Sequence, residues 1–324
     1  LTGERSAGVY NSGTFALSGG TITSGGENSI GVYSTGTTNT NISGGKIVAQ
    51  NGGIAMYSGA NSTINLSGTN IAEVRSGGLL FYNYANSGVF TGKYNIAPGT
   101  SASVASGGLA MYVDVSSISQ INTMVTGLQS AFTGAGNLQL SMAAGSSLLY
   151  VNGVSGAADI SDFAGLNDLT TIFNLGASSG YNQYVMKGVE LALNNTAESN
   201  LDSGSYGKIQ FLDSNITVNN GITVSGPTLA KQYVAIAQKN TPSGTLAGRY
   251  ITNNGTISLA GTGSTAIAGD YITMKNSASG KITLGASSVG IYTANGSKAL
   301  NEGLIELGTG SVGMYGRNYF DGVN

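Results

Sequence analysis

The sequence has no cysteine, no histidine and no tryptophan, and only three of its 324 residues are proline. Without histidine or cysteine, the chain cannot build a Ser-His-Asp triad, a Cys-His pair or a histidine-ligated metal site. The absence of cysteine excludes disulfides, but it does not indicate a redox compartment. The scarcity of proline favours strands, because proline inside a strand cannot donate a hydrogen bond to a neighbouring strand.

Charged residues are scarce as well. They make up 9% of the sequence, against about 25% in an average protein. The net charge of −2 provides no basic surface for nucleic acid or an anionic membrane. No apolar run approaches the ~18 residues of a membrane-spanning helix. Because 40% of the residues are hydrophobic, we expect a folded chain. The charge and the lack of long apolar runs predict no nucleic-acid partner and no membrane contact of this chain itself.

The sequence repeats itself, at first with a period of 23 to 25 residues. A short apolar segment ending in tyrosine recurs at Tyr10, Tyr33, Tyr57, Tyr82, Tyr112, Tyr150, Tyr292 and Tyr315. A second, apolar-x-apolar segment contains Phe15 and Leu17, Ile64 and Leu66, Tyr94 and Ile96, Leu138 and Leu140, Ile257 and Leu259, Ile282 and Leu284, and Ile305 and Leu307. A third short segment surrounds Ile22, Ile47 and Ile71. Each repeat therefore holds two or three strand-like runs, separated by Gly, Asn and Ser.

Repeats this short leave no room for the crossover helices of an ordinary parallel sheet. We therefore predict an all-β fold, a right-handed parallel β-helix in which each strand stacks on its copy one repeat earlier. The handedness follows from the general handedness of parallel crossovers. The recurring tyrosines are expected to form a stacked column along one wall of this solenoid.

The period is lost in the middle of the chain. We predict one continuous solenoid with regular coils at 1–112 and 207–324, and with helical and loop insertions among the coils at 113–206. An amphipathic helix is predicted over 116–132, with an apolar face made of Ile118, Ile121, Met124, Val125, Leu128 and Phe132. A second helix is predicted after Ser161, with Phe163, Leu166, Leu169 and Phe173 on one face. Coil-like stretches remain at 137–150 and 185–193. The helices either cover an open apolar corner or belong to a surface that contacts a partner.

Carboxylates are the remaining candidates for catalysis, because enzymes that cleave glycosidic bonds use paired acids. The acidic residues considered for this role are Asp159, Asp162, Asp168, Glu198, Asp202 and Asp213. None of them recurs at the coil period, and Asp159 and Asp162 are interpreted as acids at a helix N-terminus. We therefore predict that the protein is not an enzyme and has no cofactor and no metal ion.

Two stretches carry a resemblance to a known family. Residues 301–315 read NEGLIELGTGSVGMY, and residues 276–292 read NSASGKITLGASSVGIY. This pattern resembles the passenger repeats of the large monomeric autotransporter adhesins of fusobacteria, and the resemblance covers 1–112 and 250–324. It implies type V secretion, a passenger on the cell surface, and a parent protein with a signal peptide and a membrane-anchoring barrel domain that this chain does not contain.

The same resemblance implies attachment to host cells or other bacteria through glycan or protein ligands. The aromatic stretch at 81–94 suggests where a ligand binds, since Tyr84 and Phe90 are candidates for an exposed platform under a sugar ring. The full set of candidate ligand-binding residues is Tyr84, Phe90, Tyr94, Tyr181 and Tyr184. The alternative is that these aromatic residues pack on one another at a widened corner.

Three functions remain open from the sequence. The first is an adhesive segment on a rigid stalk, the second a polysaccharide-processing β-helix enzyme, and the third a passive stalk. We expect the chain to be monomeric. Terminal coils that no flanking coil covers are expected to fray or associate, because their strand edges are unpaired.

Overall fold

A computed structural model describes residues 1–86, 89–114, 121–152, 157–158, 172–175, 180–194, 209–226, 233–240, 248–317 and 321–323. Most of these residues are in β-strands. The chain divides into two compact units, the first made of Leu1–Val115, Ser119–Asn152 and Phe163–Tyr184, the second of Ser116–Ile118, Gly153–Asp162 and Val185–Asn324. In each unit nearly all strand pairs are parallel and join successive repeats, which confirms the predicted parallel β-helix. Right-handed winding stays a prediction.

The first unit is built on two parallel sheets. The first, here called the tyrosine sheet, contains Ala7–Asn11, Ile30–Ser34, Ile54–Ser58, Leu79–Asn83, Leu109–Asp114 and Ser147–Asn152. The second contains Thr14–Ser24, Asn39–Ala49, Thr63–Leu66, Ala72–Val74, Lys93–Ile96, Ser101–Val104, Phe132–Thr133 and Gln139–Met142. One more strand, Asn182–Lys187, begins in the first unit and ends in the second.

Alternation of side chains places the core between the sheets. In Thr63–Leu66, Ile64 and Leu66 are buried, whereas Thr63 and Asn65 are only half-buried. Because successive side chains of a strand point to opposite faces, the apolar-x-apolar segment buries both of its apolar members. Stacking of these strands in register then produces a continuous apolar interior.

The tyrosine segment often has glycine two positions before the tyrosine, and the close approach of neighbouring coils explains it. A Cβ atom added at Gly31 would lie 2.7 Å from both the carbonyl oxygen of Ala55 and Cγ2 of Ile47. A larger side chain fits at the equivalent position of another repeat only where the neighbouring coil leaves more room. Ala55 occupies that position in the next repeat.

The register of the second sheet differs from the predicted one at two places. Thr40 lies between Phe15 and Ile64 in the stack, and the prediction omitted it because threonine is polar. Tyr94 pairs with Phe132, not with Leu138, the residue that was expected to follow it. Leu140 instead lies opposite Ala102. The prediction failed there because the spacing of the repeats is irregular after residue 96.

The insertions of the first unit include one α-helix and one hairpin. The described part of the helix spans Ile121–Ala131 and ends one residue before the predicted end, because Phe132 begins a strand. The rest of the predicted helix, 116–120 with Ile118, lies outside the described residues. A 3-10 helix follows at Ala135–Asn137. The short strands Ala85–Asn86 and Val89–Phe90 form an antiparallel hairpin, and the α-helix packs against Val89–Phe90.

Burial shows what the described part of this helix does. Leu128 and Ala131 are almost fully buried, and so is Phe90. The helix therefore covers an apolar corner, one of the two roles that the sequence left open. The second predicted helix lies outside the described residues except near Phe173, which is buried. The coil-like stretches predicted at 137–150 and 185–193 are confirmed by Gln139–Met142, Ser147–Asn152 and Glu190–Leu193.

The second unit contains three parallel sheets. The first has Ile209–Leu212, Val234–Lys239, Thr265–Asp270, Val289–Ala294 and Val312–Arg317. The second has Ala157–Ala158, Glu190–Leu193, Asn215–Val218, Tyr250–Asn253, Thr273–Asn276, Lys298–Asn301 and Asp321–Val323. The third has Thr223–Ser225, Thr256–Leu259, Lys281–Leu284 and Leu304–Glu306. The repeated segments stack as predicted, with Ile257, Ile282 and Ile305 in one column.

Candidate functional site

The recurring tyrosines of the first unit form one column on the outer face of the tyrosine sheet. The tyrosine column consists of Tyr10, Tyr33, Tyr57, Tyr82, Tyr112 and Tyr150, whose successive ring centroids lie 4.6 to 5.8 Å apart. Tyr10 is exposed and the other five are half-buried. This arrangement confirms the predicted stacked column. In the second unit, Tyr292 and Tyr315 stack in the same way at 5.7 Å.

A second, aliphatic column lies on the same outer face, because the two residues between it and the tyrosine column are both buried and the alternation is interrupted there. It consists of Ile30, Ile54, Leu79 and Leu109, each three residues before a tyrosine of the column, all half-buried and in register. The two columns together are here called the tyrosine wall. The sequence signal for the aliphatic column is an apolar residue at a fixed distance before each of these tyrosines. The period-2 pattern, however, did not predict on which face of the sheet this residue lies.

A carboxylate lies beside the tyrosine column at its later coils. The hydroxyl of Tyr112 donates a hydrogen bond to Oδ1 of Asp114 at 2.8 Å, and Nδ2 of Asn152 donates to the same oxygen at 2.8 Å. Asp114 is exposed. It was not among the predicted site residues, because a single acid at a strand end has no signature in the sequence.

The packed phenols of the column resist ionisation. Burial raises the pKa of Tyr57 to about 12, and the nearby phenols of Tyr33, Tyr82 and Tyr84 add to the rise. Burial also raises the pKa of Tyr112, and the hydrogen bond to the neighbouring carboxylate acts in the same direction. The phenols of Tyr57 and Tyr112 therefore stay uncharged at neutral pH and well above it.

These shifts predict that alkali destabilises the first unit. Tyrosine in an unfolded chain ionises near pH 10, whereas Tyr57 in the fold has a pKa of about 12. The neutral phenol of Tyr57 contributes fully to the free energy of unfolding below about pH 10. This contribution is lost as the pH rises through about 12, because between these values the phenol ionises in the unfolded chain but not in the fold. Urea unfolding at stepwise higher pH, followed by circular dichroism and tyrosinate absorbance, measures this loss. Constant stability across that range would contradict the prediction.

The predicted exposed platform is only partly correct. Tyr84 is 39% exposed and lies two residues after Tyr82, so alternation places both on the outer face of the sheet. The amide of Tyr84 donates to the carbonyl oxygen of Ser58 at 2.9 Å, which extends the strand pairing by one residue. Phe90 is only 5% exposed, so the expectation that it shares an exposed platform is wrong. The exposed apolar neighbour is Val89, at 58%.

Tyr94 belongs to a buried aromatic cluster and not to the surface. Its hydroxyl donates to the carbonyl oxygens of Met56 and Tyr82, both at 3.0 Å. Its ring stacks on Phe132 at 5.1 Å and contacts Phe81 at 4.8 Å. Because the side chain has no exposed surface, Tyr94 is corrected from a candidate ligand-binding residue to a core residue. This is the mutual packing of aromatic residues that the sequence left as the alternative.

The other two candidates are also separated by burial. Tyr184 is fully buried in the strand Asn182–Lys187, and it too is corrected to a core residue. Tyr181, just before that strand, is half-buried, and burial raises the pKa of its phenol. Ligand binding at Tyr84 and Tyr181 stays a prediction.

Charged residues of the described part form ion pairs, and the carboxylate of Glu73 is shared by Lys46 and Arg75. Lys275 contacts Glu302 at 2.8 Å, and Lys281 contacts Glu306 at 2.9 Å. Of the acids considered for catalysis, Asp213 alone is described, with one carboxylate oxygen 4.0 Å from Nζ of Lys187. Within the described ranges, no three acidic, histidine or cysteine side chains come together as a metal site.

No protein-family profile, curated protein or solved structure matches the chain. Within the described residues, no helix combines the length and the apolar character that crossing a membrane requires. The class of protein is thus defined by the fold alone, which is a parallel β-solenoid with a tyrosine wall.

Proposed function

We propose that this chain is an adhesive segment of a surface-exposed autotransporter passenger, in which stacked coils form a rigid stalk. The tyrosine wall, together with the exposed side chains of Tyr84 and Val89, provides its contact surface. The observation that carries the proposal is the tyrosine wall itself. A contiguous, partly exposed apolar strip is the kind of surface at which proteins contact their partners. The resemblance of the repeats to fusobacterial adhesins supports the same function.

Two exposed side chains, one just before the hairpin and one within it, add to this surface. Tyr84 and Val89 are both large, apolar and exposed, and Tyr84 lies close enough to Tyr57 to affect its ionisation. A tyrosine offers an apolar ring and a polar hydroxyl, which suits a ligand that has both characters, such as a sugar or a protein side chain. The partner is thus a glycan or a protein on a host or bacterial cell.

Binding to whole cells tests the proposal. The purified chain is labelled at its N-terminus and incubated with host cells and with other bacteria, beside a double variant carrying Tyr84→Ala and Val89→Ser. We expect the unmodified chain to bind at least one cell type, and the double variant to lose most of that binding, because interface energy concentrates in a few aromatic anchors.

The chain offers a matched control in its second unit. Tyr315 and Val312 are also exposed, at 50% and 43%, so the double variant Tyr315→Ala and Val312→Ser removes the same two side-chain types elsewhere. We expect this control to bind like the unmodified chain. Absence of binding to every cell type would favour the passive stalk, and equal loss in both double variants would show that the surface beside Tyr84 is not special.

A further inference from the structure

Tyrosine is the most easily oxidised side chain that the tyrosine wall presents to a one-electron oxidant. The whole sequence has no tryptophan and no cysteine, which would otherwise compete for such an oxidant. The methionines beneath the wall, Met56 and Met111, are buried to within 1% of their surface. Oxidation at this surface therefore begins on the phenol rings.

One pair of the tyrosine column is closest to the geometry of a cross-link. The ring centroids of Tyr33 and Tyr57 lie 4.6 Å apart with 64° between the ring planes, the shortest separation in the column. Dityrosine joins two rings through their edges, so an edge-directed pair needs less movement than a stacked one. The other edge-directed pair, Tyr10 with Tyr33, is further apart, at 5.1 Å. The stacked pairs, Tyr57 with Tyr82 and Tyr112 with Tyr150, have interplanar angles of 25° and 17°.

The backbone keeps this pair together. Tyr33 and Tyr57 are directly opposed in the parallel strands Ile30–Ser34 and Ile54–Ser58, and residues on both sides of them are in register too. Holding two reacting groups in contact gives an intramolecular reaction a large advantage over encounters between chains. Both residues are half-buried, so part of each side chain is exposed to an oxidant.

We propose that Tyr33 and Tyr57 are a site of oxidative cross-linking, where a haem peroxidase using hydrogen peroxide joins the two rings as dityrosine. Each phenol gives one electron to the peroxidase and one proton to water. The two phenoxyl radicals then form a carbon–carbon bond between their ortho positions. The hydrogen on each joined carbon moves to the phenoxyl oxygen and restores the phenol. Two tyrosines and one hydrogen peroxide thus give one dityrosine and two waters.

Such a bond would tie one coil to the next in a chain that has no disulfide. It would shorten the free length of the unfolded chain between the two tyrosines, and a cross-link of this kind stabilises the fold. Cross-linked chains are therefore expected to unfold at a higher urea concentration than untreated ones.

Peptide mapping tests the site. The dilute chain is treated with a haem peroxidase and a limiting amount of hydrogen peroxide, and the monomer is isolated and digested with trypsin. Lys46 lies between the two tyrosines, so trypsin places Tyr33 and Tyr57 on different peptides. We expect one product that joins these peptides, lighter by two hydrogen atoms, with dityrosine fluorescence that no tryptophan obscures.

Phenylalanine variants assign the partners, because phenylalanine keeps the ring but cannot form a phenoxyl radical. Tyr10 shares the tryptic peptide of Tyr33, so Tyr33→Phe is expected to abolish the product and Tyr10→Phe to leave it. Tyr150→Phe, at the other end of the column, is a control that is also expected to leave it. Circular dichroism checks that each variant is folded.

Three results would overturn the proposal. The first is a product that survives Tyr33→Phe but disappears in Tyr10→Phe. The second is an equal yield of the product from the chain unfolded in urea, since proximity in the fold would then play no part. The third is dityrosine found solely between different chains.

Discussion

Replacing Phe81 by alanine is expected to lower the free energy of unfolding of the first unit by about 4 kcal/mol, as for other large aromatic residues in protein cores. The Phe81 side chain is 1% exposed. Its ring lies 4.8 Å from Tyr94, 5.3 Å from Phe132 and 6.0 Å from Phe173, measured between centroids. These neighbours belong to other strands or loops and cannot collapse together into the space that Phe81 would leave. Urea denaturation followed by circular dichroism measures the change.

Phe15 provides the matched control for this substitution. It lies in the same column of the second sheet as Tyr94 and Phe132, but it is only half-buried, so Phe15→Ala leaves a smaller cavity. We expect Phe15→Ala to cost clearly less than Phe81→Ala. Hydrogen exchange read on peptides locates the effect, and faster exchange is expected in the strands that carry the cluster. Equal losses of unfolding free energy in the two variants would contradict the idea that the cluster of Phe81, Tyr94, Phe132 and Phe173 is a centre of stability.

Regular repeats were predictable because local pattern and tertiary contact coincide in a solenoid. Tyr33 occupies the same place in its repeat as Tyr57, and parallel stacking in register brings equivalent positions into contact. The same logic predicted the column of Ile257, Ile282 and Ile305. In these regions, finding the period was sufficient to predict the sheet and its neighbours.

The candidate site was harder to predict because depth in the fold depends on distant residues. Alternation gave the correct side for Tyr84, but Phe90 and Tyr94 are buried under groups that come from much later in the chain. Phe132 and the helix that precedes it cover this corner. No spacing within residues 81–94 contains that information.

Polar residues inside the coils were missed for a related reason. Thr40 is buried and accepts a hydrogen bond from Nδ2 of Asn11 at 2.8 Å, so its column is continuous even though its polarity interrupts the apolar pattern. A hydrophobic pattern identifies a buried residue by its side-chain type, whereas the fold accepts a polar side chain wherever a neighbouring coil provides a partner.

Replacing Asn276 by alanine is expected to lower the free energy of unfolding of the second unit by about 3 kcal/mol, because buried polar groups would lose their partners. Asn253, Asn276 and Asn301 form a ladder across three coils. Nδ2 of Asn253 donates to Oδ1 of Asn276 at 2.8 Å, and Nδ2 of Asn276 donates to Oδ1 of Asn301 at 2.8 Å. Asn276 is fully buried, so water cannot replace the lost amide without opening the fold.

An exposed copy of this ladder isolates the effect of burial. Asn65, in the first unit, donates to Asn41 and accepts from Asn95, both at 2.9 Å, and both bonds are exposed to solvent. Asn65→Ala removes the same two kinds of hydrogen bond, but water takes their place, so we expect a loss below about 1 kcal/mol. Urea denaturation compares the two variants directly. If Asn65→Ala and Asn276→Ala had equal effects, the amide bonds themselves would be the source of stability and burial would not matter. A large difference would mean that leaving a buried amide unpaired destabilises the fold by more than one exposed amide hydrogen bond stabilises it.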